Sequence, residues 1–254
     1  MVDRTGLSPV TLHLIVLNTL ILVISSVLSS LYDISLSSYL GAHSAISHNF
    51  ALYQFVTYMF LHADFIHLFF NMFILWMFGS VLERVWGPSL FTVFYLTCGM
   101  GAGILHSAVL TWEHWQLVRA VEEAFVQNSL PAIERIGRLT GLSHSSVEAL
   151  VSTLEGAEFL LYQFIDRLPM VGASGAIFGI LTAFGLLFPD VRLYLFFMVP
   201  VRAIYAVLIF GAIELVLAII NAPGDFIAHY AHLGGMLIAF LLVKGFRRLR
   251  PPFL

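Results

Sequence analysis

Six apolar stretches run along the chain, at roughly 10–30, 65–82, 89–111, 170–188, 199–220 and 226–243. Each is close to the length that crosses a bilayer as a helix, since a hydrocarbon layer about 30 Å thick takes about 20 residues at ~1.5 Å rise. The breaks between them carry physical markers. Glu83-Arg84 and Gly87-Pro88 separate the second stretch from the third. Pro189-Asp190 and Arg192 close the fourth, and Asn221, Pro223-Gly224 and Asp225 divide the fifth from the sixth. Residues 31–64 form a long, weakly polar connection. Residues 112–167 have no long apolar run; Arg119, Arg135, Arg138 and Arg167 stand there against eight acidic residues, and apolar side chains recur at helical spacing from Val147 to Leu161. The pattern predicts three blocks: 1–111 with three spans, an extramembrane helical cap or lid at 112–167, and 168–254 with three more spans and a basic tail.

Composition agrees with an all-α polytopic membrane protein. Of 254 residues, 59% are hydrophobic and only 11% charged, against about 25% charged in soluble domains. The net charge of -3 argues against nucleic acid as a partner. The single cysteine, Cys98, has no internal disulfide partner and reads as a small buried hydrophobe. The first stretch lacks a small-residue cleavage site, so it is read as a retained span. Six spans put both termini on one side. That side holds Arg4, Arg84, Arg192, Arg202, Lys244, Arg247, Arg248 and Arg250, while the short loops of the other side hold no Lys or Arg. The bias predicts cytoplasmic termini, a cell-membrane location, and an outward face for 31–64, 112–167 and 221–225.

Polar residues inside such spans are rare and tend to mark function. Ser174 lies in Gly172-Ala173-Ser174-Gly175, about four residues into the fourth stretch, and Asn71 and His232 lie about six residues into the second and sixth. At ~1.5 Å per residue all three fall roughly 6–10 Å below the outer surface, with His67 slightly shallower. Equal depth in separate helices suggests a shared pocket. Alone, Ser174 reads as a helix-packing serine in a small-xxx-small face, and His232 as a buried histidine bonded to a carbonyl. Together they read as a nucleophile and the base that takes its proton. Gly172, Gly175, Gly234, Gly235 and Ala239 let the two helices approach closely enough for that contact. His67 and Asn71, four apart, share a helical face and supply donors that suit an oxyanion, with the backbone N–H of Ser174 as a third; the competing reading is a cap or loop support.

Glu214 and Asp225 are the nearest acids to His232, and neither stands convincingly beside it in the sequence. A Ser–His dyad is therefore expected, with Glu214 a structural carboxyl. His229 and His232 are three apart on one face, but no H-E-x-x-H, cysteine cluster or acidic ligand in the spans goes with them, so neither a metal nor a cofactor is expected. His62 falls on a different face from His67, and His13, Asn18 and His106 read as isolated polar residues near helix contacts.

Three motifs in this order, His67-x-x-x-Asn71, Gly172-Ala173-Ser174-Gly175 and Ala231-His232-x-x-Gly235, resemble those of the rhomboid intramembrane serine proteases. The similarity covers about 10–111 and 168–250 and leaves out the insert. It implies a six-helix bundle, a shortened fourth helix at the floor of a wet cavity, Ser174 and His232 as catalytic pair, and an oxyanion hole from His67, Asn71 and the Ser174 backbone. It also implies single-pass transmembrane proteins as substrates, cut near the end of their helix, and a gate and cap at about 201–230. Phe178 stands where some bacterial members have a tyrosine stacked on the imidazole, and Tyr53-Gln54 where the family has Trp-Arg. The main alternative is a catalytically inactive relative that binds membrane proteins. A transporter is a further alternative, but no internal repeat is seen.

Overall fold

The computed structural model of the chain describes residues 8–166, 169–195, 198–220 and 227–249. Arg4, Arg167, Arg250 and the loop 221–225 with Asp225 lie outside the described residues. Helix α1, Pro9–Tyr32, opens with proline, whose fixed φ suits a first turn, and closes on Asp33 in the left-handed region (φ 55°). The connection that follows holds two short helices, α2 (Leu36–Leu40) and α3 (Gln54–Thr57), and a 3-10 turn at Tyr58–Phe60. Helices α4 (Phe65–Ile74) and α5 (Ser80–Trp86) join through a π turn at Leu75–Gly79 into one apolar rod, Phe65–Trp86. Helix α6, Pro88–Gln127, is 40 residues long. The short helices α7 (Leu130–Thr140), α8 (His144–Val151) and α9 (Leu154–Leu161) follow. The chain returns through α10 (Ser174–Leu187), a small antiparallel hairpin of β1 (Arg192–Leu195) and β2 (Val199–Arg202), then α11 (Ala203–Ile220) and α12 (His229–Leu249).

The structure redraws four span boundaries. The third stretch does not stop at 111: nothing breaks the helix before Asn128 in the left-handed region (φ 49°), so α6 runs out of the bundle and into the insert. The fourth stretch is helical only from Ser174, because Met170 is bridged to Ala42 and Gly172 turns with positive φ. The fifth begins at Ala203, since Val199–Arg202 pairs with β1 in register Arg192↔Arg202 and Leu195↔Val199. The sixth starts at His229 and continues to Leu249.

Two apolar cores result. Tyr58, Leu75, Phe91, Phe94, Tyr95, Ile177 and Ile180 fill the bundle. Leu117, Val121, Ile133, Ile136, Val147 and Leu160 fill a second cluster between the far end of α6 and α7, α8 and α9. In the second, Ser129, Ser143 and Thr153 each accept from a backbone amide at the start of their helix, as isolated short helices need. The bundle presents Leu20, Val23, Ile24, Leu208, Ile213, Val216 and Ile219 outward. Such a continuous exposed apolar surface is stable only in lipid. Among the described residues, four helices are long and apolar enough to cross a membrane: Pro9–Tyr32, Phe65–Trp86, Pro88–Gln127 and Ala203–Ile220. Helix α10, at 14 residues, spans only about 21 Å.

Candidate active site

Ser174 owes its place to the extended segment before it. Met170 and Ala42 exchange two backbone hydrogen bonds, 2.8 and 2.9 Å, and the Gly172 amide donates to the Tyr58 carbonyl at 3.0 Å. Gly172 then turns with φ +128°, a conformation side chains resist, and a Cβ there would stand 2.7 Å from Cε1 and 2.9 Å from Nε2 of His67. The helix starts directly afterwards, so Ser174 is its first residue and not the fourth of a span. The first intrahelical bond is Ile177 N–H to Ala173 O. The amides of the first turn thus have no acceptor within the helix, and the positive end of its dipole lies at the serine.

Helix α12 brings His232 to it. The two helices meet backbone to backbone: a Cβ on Gly235 would lie 1.8 Å from the Gly175 carbonyl oxygen. At that separation Ser174 Oγ and His232 Nε2 are 2.8 Å apart. Phe178, one turn along α10, stacks on the imidazole with centroids 4.2 Å apart and planes at 10°. The ring position expected to stack does so, and it limits His232 to rotation within its own plane. His232 is buried and Ser174 half-buried.

The other face of His232 carries a correction. Glu214, expected to be a structural carboxyl away from the histidine, sits with Oε2 2.9 Å from His232 Nδ1 and 2.6 Å from His229 Nδ1. The His229 contact is an aligned hydrogen bond; the His232 contact is at ion-pair distance without that alignment. One carboxylate oxygen thus serves two imidazoles. Because Nδ1 of His232 faces an acceptor, the proton belongs there, and Nε2 is left to accept from the serine hydroxyl. Tyr230 Oη donates to the Ala218 carbonyl at 3.0 Å and sets the register of α11 on α12.

His67 and Asn71 share a face of α4 as expected. Asp64 caps that helix by accepting from the His67 amide at 2.8 Å. The His67 ring lies over Gly172, beside the serine, with its edge against His62 at 5.1 Å between centroids. Asn71 is buried and spends one amide hydrogen on the His67 carbonyl at 2.8 Å. A second hydrogen remains on the same nitrogen.

The Rhomboid domain family model matches residues 49–118 and 134–248, most of the chain. The chain is a member of the rhomboid family. Members of that family are usually serine intramembrane proteases. No curated protein matches the chain at significant similarity. The rhomboid match enters the insert from both ends, where the motifs alone left it out, and passes over 119–133; helices α1 and α2 precede it. In this rhomboid the loop at Tyr53-Gln54, where the family has Trp-Arg, is held by uncharged hydrogen bonds. Gln54 is 1% exposed, takes the His43 and Ala51 amides on Oε1 at 3.4 and 3.1 Å, and donates from Nε2 to the Tyr39 and Asn49 carbonyls at 3.2 and 2.7 Å. Tyr53 Oη adds a bond to the Tyr39 carbonyl.

Glu214 is the residue that the sequence reading weighed beside His232 and took as structural. The signal was present: it lies six residues from the end of α11, close to the depth already used to group Ser174, Asn71 and His232. Cys98 behaves as expected, fully buried against the Gly179 face of α10.

Proposed function

We propose that this rhomboid is an intramembrane serine endopeptidase that cleaves single-pass transmembrane proteins near the outer interface. The observation that carries the reading is the 2.8 Å contact of Ser174 Oγ with His232 Nε2, set at the start of a helix too short to span. The serine hydroxyl attacks the scissile carbonyl while its proton passes to Nε2. The tetrahedral oxyanion forms beside the first-turn amide of Ser174, with His67 and the second amide hydrogen of Asn71 as further donors. As the C–N bond breaks, Nε2–H returns the proton to the leaving amine; water then repeats the sequence on the acyl-serine. Glu214 holds the imidazole in the tautomer that can accept, so the working unit is Ser174–His232–Glu214 and not a bare dyad. A helical substrate shields its carbonyls, so it must unwind first, and helix-weakening residues near the cut lower that cost. No metal or cofactor takes part. Termini on the cytoplasmic side, as the basic residues favour, give the site an outward opening.

The test is a serine-directed fluorophosphonate probe on the detergent-purified chain, beside cleavage of a model transmembrane substrate. The chain is expected to label and cut, with Ser174→Ala and His232→Ala doing neither while remaining folded. A labelled and active Ser174→Ala protein would remove the assignment.

A further inference from the structure

Glu214, His229 and His232 present three ligand atoms, the two Nδ1 nitrogens and a carboxylate oxygen, all within 4.8 Å of one another. The side chains are only 12%, 6% and 10% exposed, so they are already desolvated and held. The two histidines lie on adjacent turns of one face of α12, and the glutamate comes from α11. We propose that these three side chains form a zinc(II) site whose occupation switches off Ser174, an inference that rests on the protease reading for its consequence but not for the binding itself.

The donor set favours this metal. Two imidazoles and one carboxylate, with water in the fourth position, suit zinc and not the harder magnesium or calcium. Tetrahedral zinc with bonds of about 2.0–2.2 Å sets its ligands about 3.4 Å apart. The two carboxylate contacts, 2.6 and 2.9 Å, would open by less than about 1 Å to admit it, and all three ligand atoms already lie within 4.8 Å of one another.

The inhibition follows from proton placement. Without metal, each Nδ1 faces the Glu214 carboxylate and carries its proton, leaving a lone pair on His232 Nε2. Zinc binds His232 through its Nδ1 lone pair, so the Nδ1 proton moves, through water, to the Nε2 of the same ring. Nε2 of His232 then points an N–H at Ser174 Oγ and has no lone pair with which to take the hydroxyl proton. The nucleophile stays in place without its base. The site couples metal to activity through a tautomer, with no movement of the backbone.

The experiment uses the full chain in detergent. Zinc chloride is expected to lower substrate cleavage at least about tenfold at micromolar levels, EDTA to restore it, and magnesium chloride at the same concentration to do nothing. His229→Gln removes one of the three ligands; its cleavage with zinc, read against its own zinc-free rate, is expected to show no inhibition. Competition with a fluorescent chelator on the Ser174→Ala protein is expected to find one bound zinc per chain, lost in the Ser174→Ala/His229→Gln double variant. Zinc inhibition of His229→Gln equal to that of the parent, or a Ser174→Ala protein that retains no zinc, overturns the proposal. A chain that binds zinc but cuts nothing instead counts against the protease reading alone.

Discussion

Two glutamates in the bundle, one buried and one half-buried, show what surroundings make of one side chain. Glu83, near the end of α5, is 2% exposed and accepts from the Val10 and Thr11 amides at 2.9 and 2.8 Å and from the Thr11 hydroxyl at 2.8 Å. Its partners are the orphan amides at the start of α1. They are fixed in position and cannot give up a proton, so the group can only hold two helices together. Glu214 has the same carboxylate against two imidazoles, which can exchange protons, change tautomer or accept a metal. The first arrangement stores stability and the second stores reactivity.

That contrast is open to direct attack. Glu214→Gln keeps the shape and removes the charge; its kcat is expected to fall by on the order of 10²-fold with KM little changed, and the thermal midpoint in detergent should barely move. An unaltered kcat would make Glu214 structural like Glu83. Glu83→Ala should do the reverse. Three donors lose a charged acceptor, a cost of about 3 kcal/mol in stability, read by denaturant titration in mixed micelles, while the folded fraction cleaves at the parent rate. Phe178→Leu removes the ring behind His232 and should lower kcat roughly three- to tenfold, the value of one aromatic contact, with no change in zinc affinity. The smallest effect concerns a carboxylate outside the bundle. Asp166 accepts from the Ser47 hydroxyl and from the His48 amide and ring. Burial pushes its pKa up, yet these bonds together bring it below its ordinary 3.8. A depressed acid contributes stability that is complete above the unfolded value and fades as pH falls through the folded one. Limited proteolysis of residues 42–50 should therefore be flat at neutral pH and quicken only in strong acid.

The fold was legible where hydrophobic pattern alone decides structure. Six apolar stretches, the helical character of 112–167 and the depth agreement of Ser174, Asn71 and His232 all came from periodicity and counting. What was not legible depends on partners distant in the chain. Nothing local says that the chain is non-helical at Met170, because Ala42 imposes that through its bridge. Nor does the local sequence say that Val199–Arg202 leaves the helix for a hairpin. Glu214 was visible as a charge, but its neighbours depend on the register of α11 against α12, which Tyr230 and Ala218 set. Nor does the sequence show that Gln54, at the position of the family's Arg, ties the loop through both ends of its amide.

Helix α6 has a mechanical consequence. Unbroken from Pro88 to Gln127, it is about 60 Å of stiff rod at ~1.5 Å per residue. One end is embedded in the insert's own core, and the stretch around Ala102 packs against Gly175 and Gly234, a turn or less from Ser174 and His232. One continuous helix thus joins the second core to the packing around the serine.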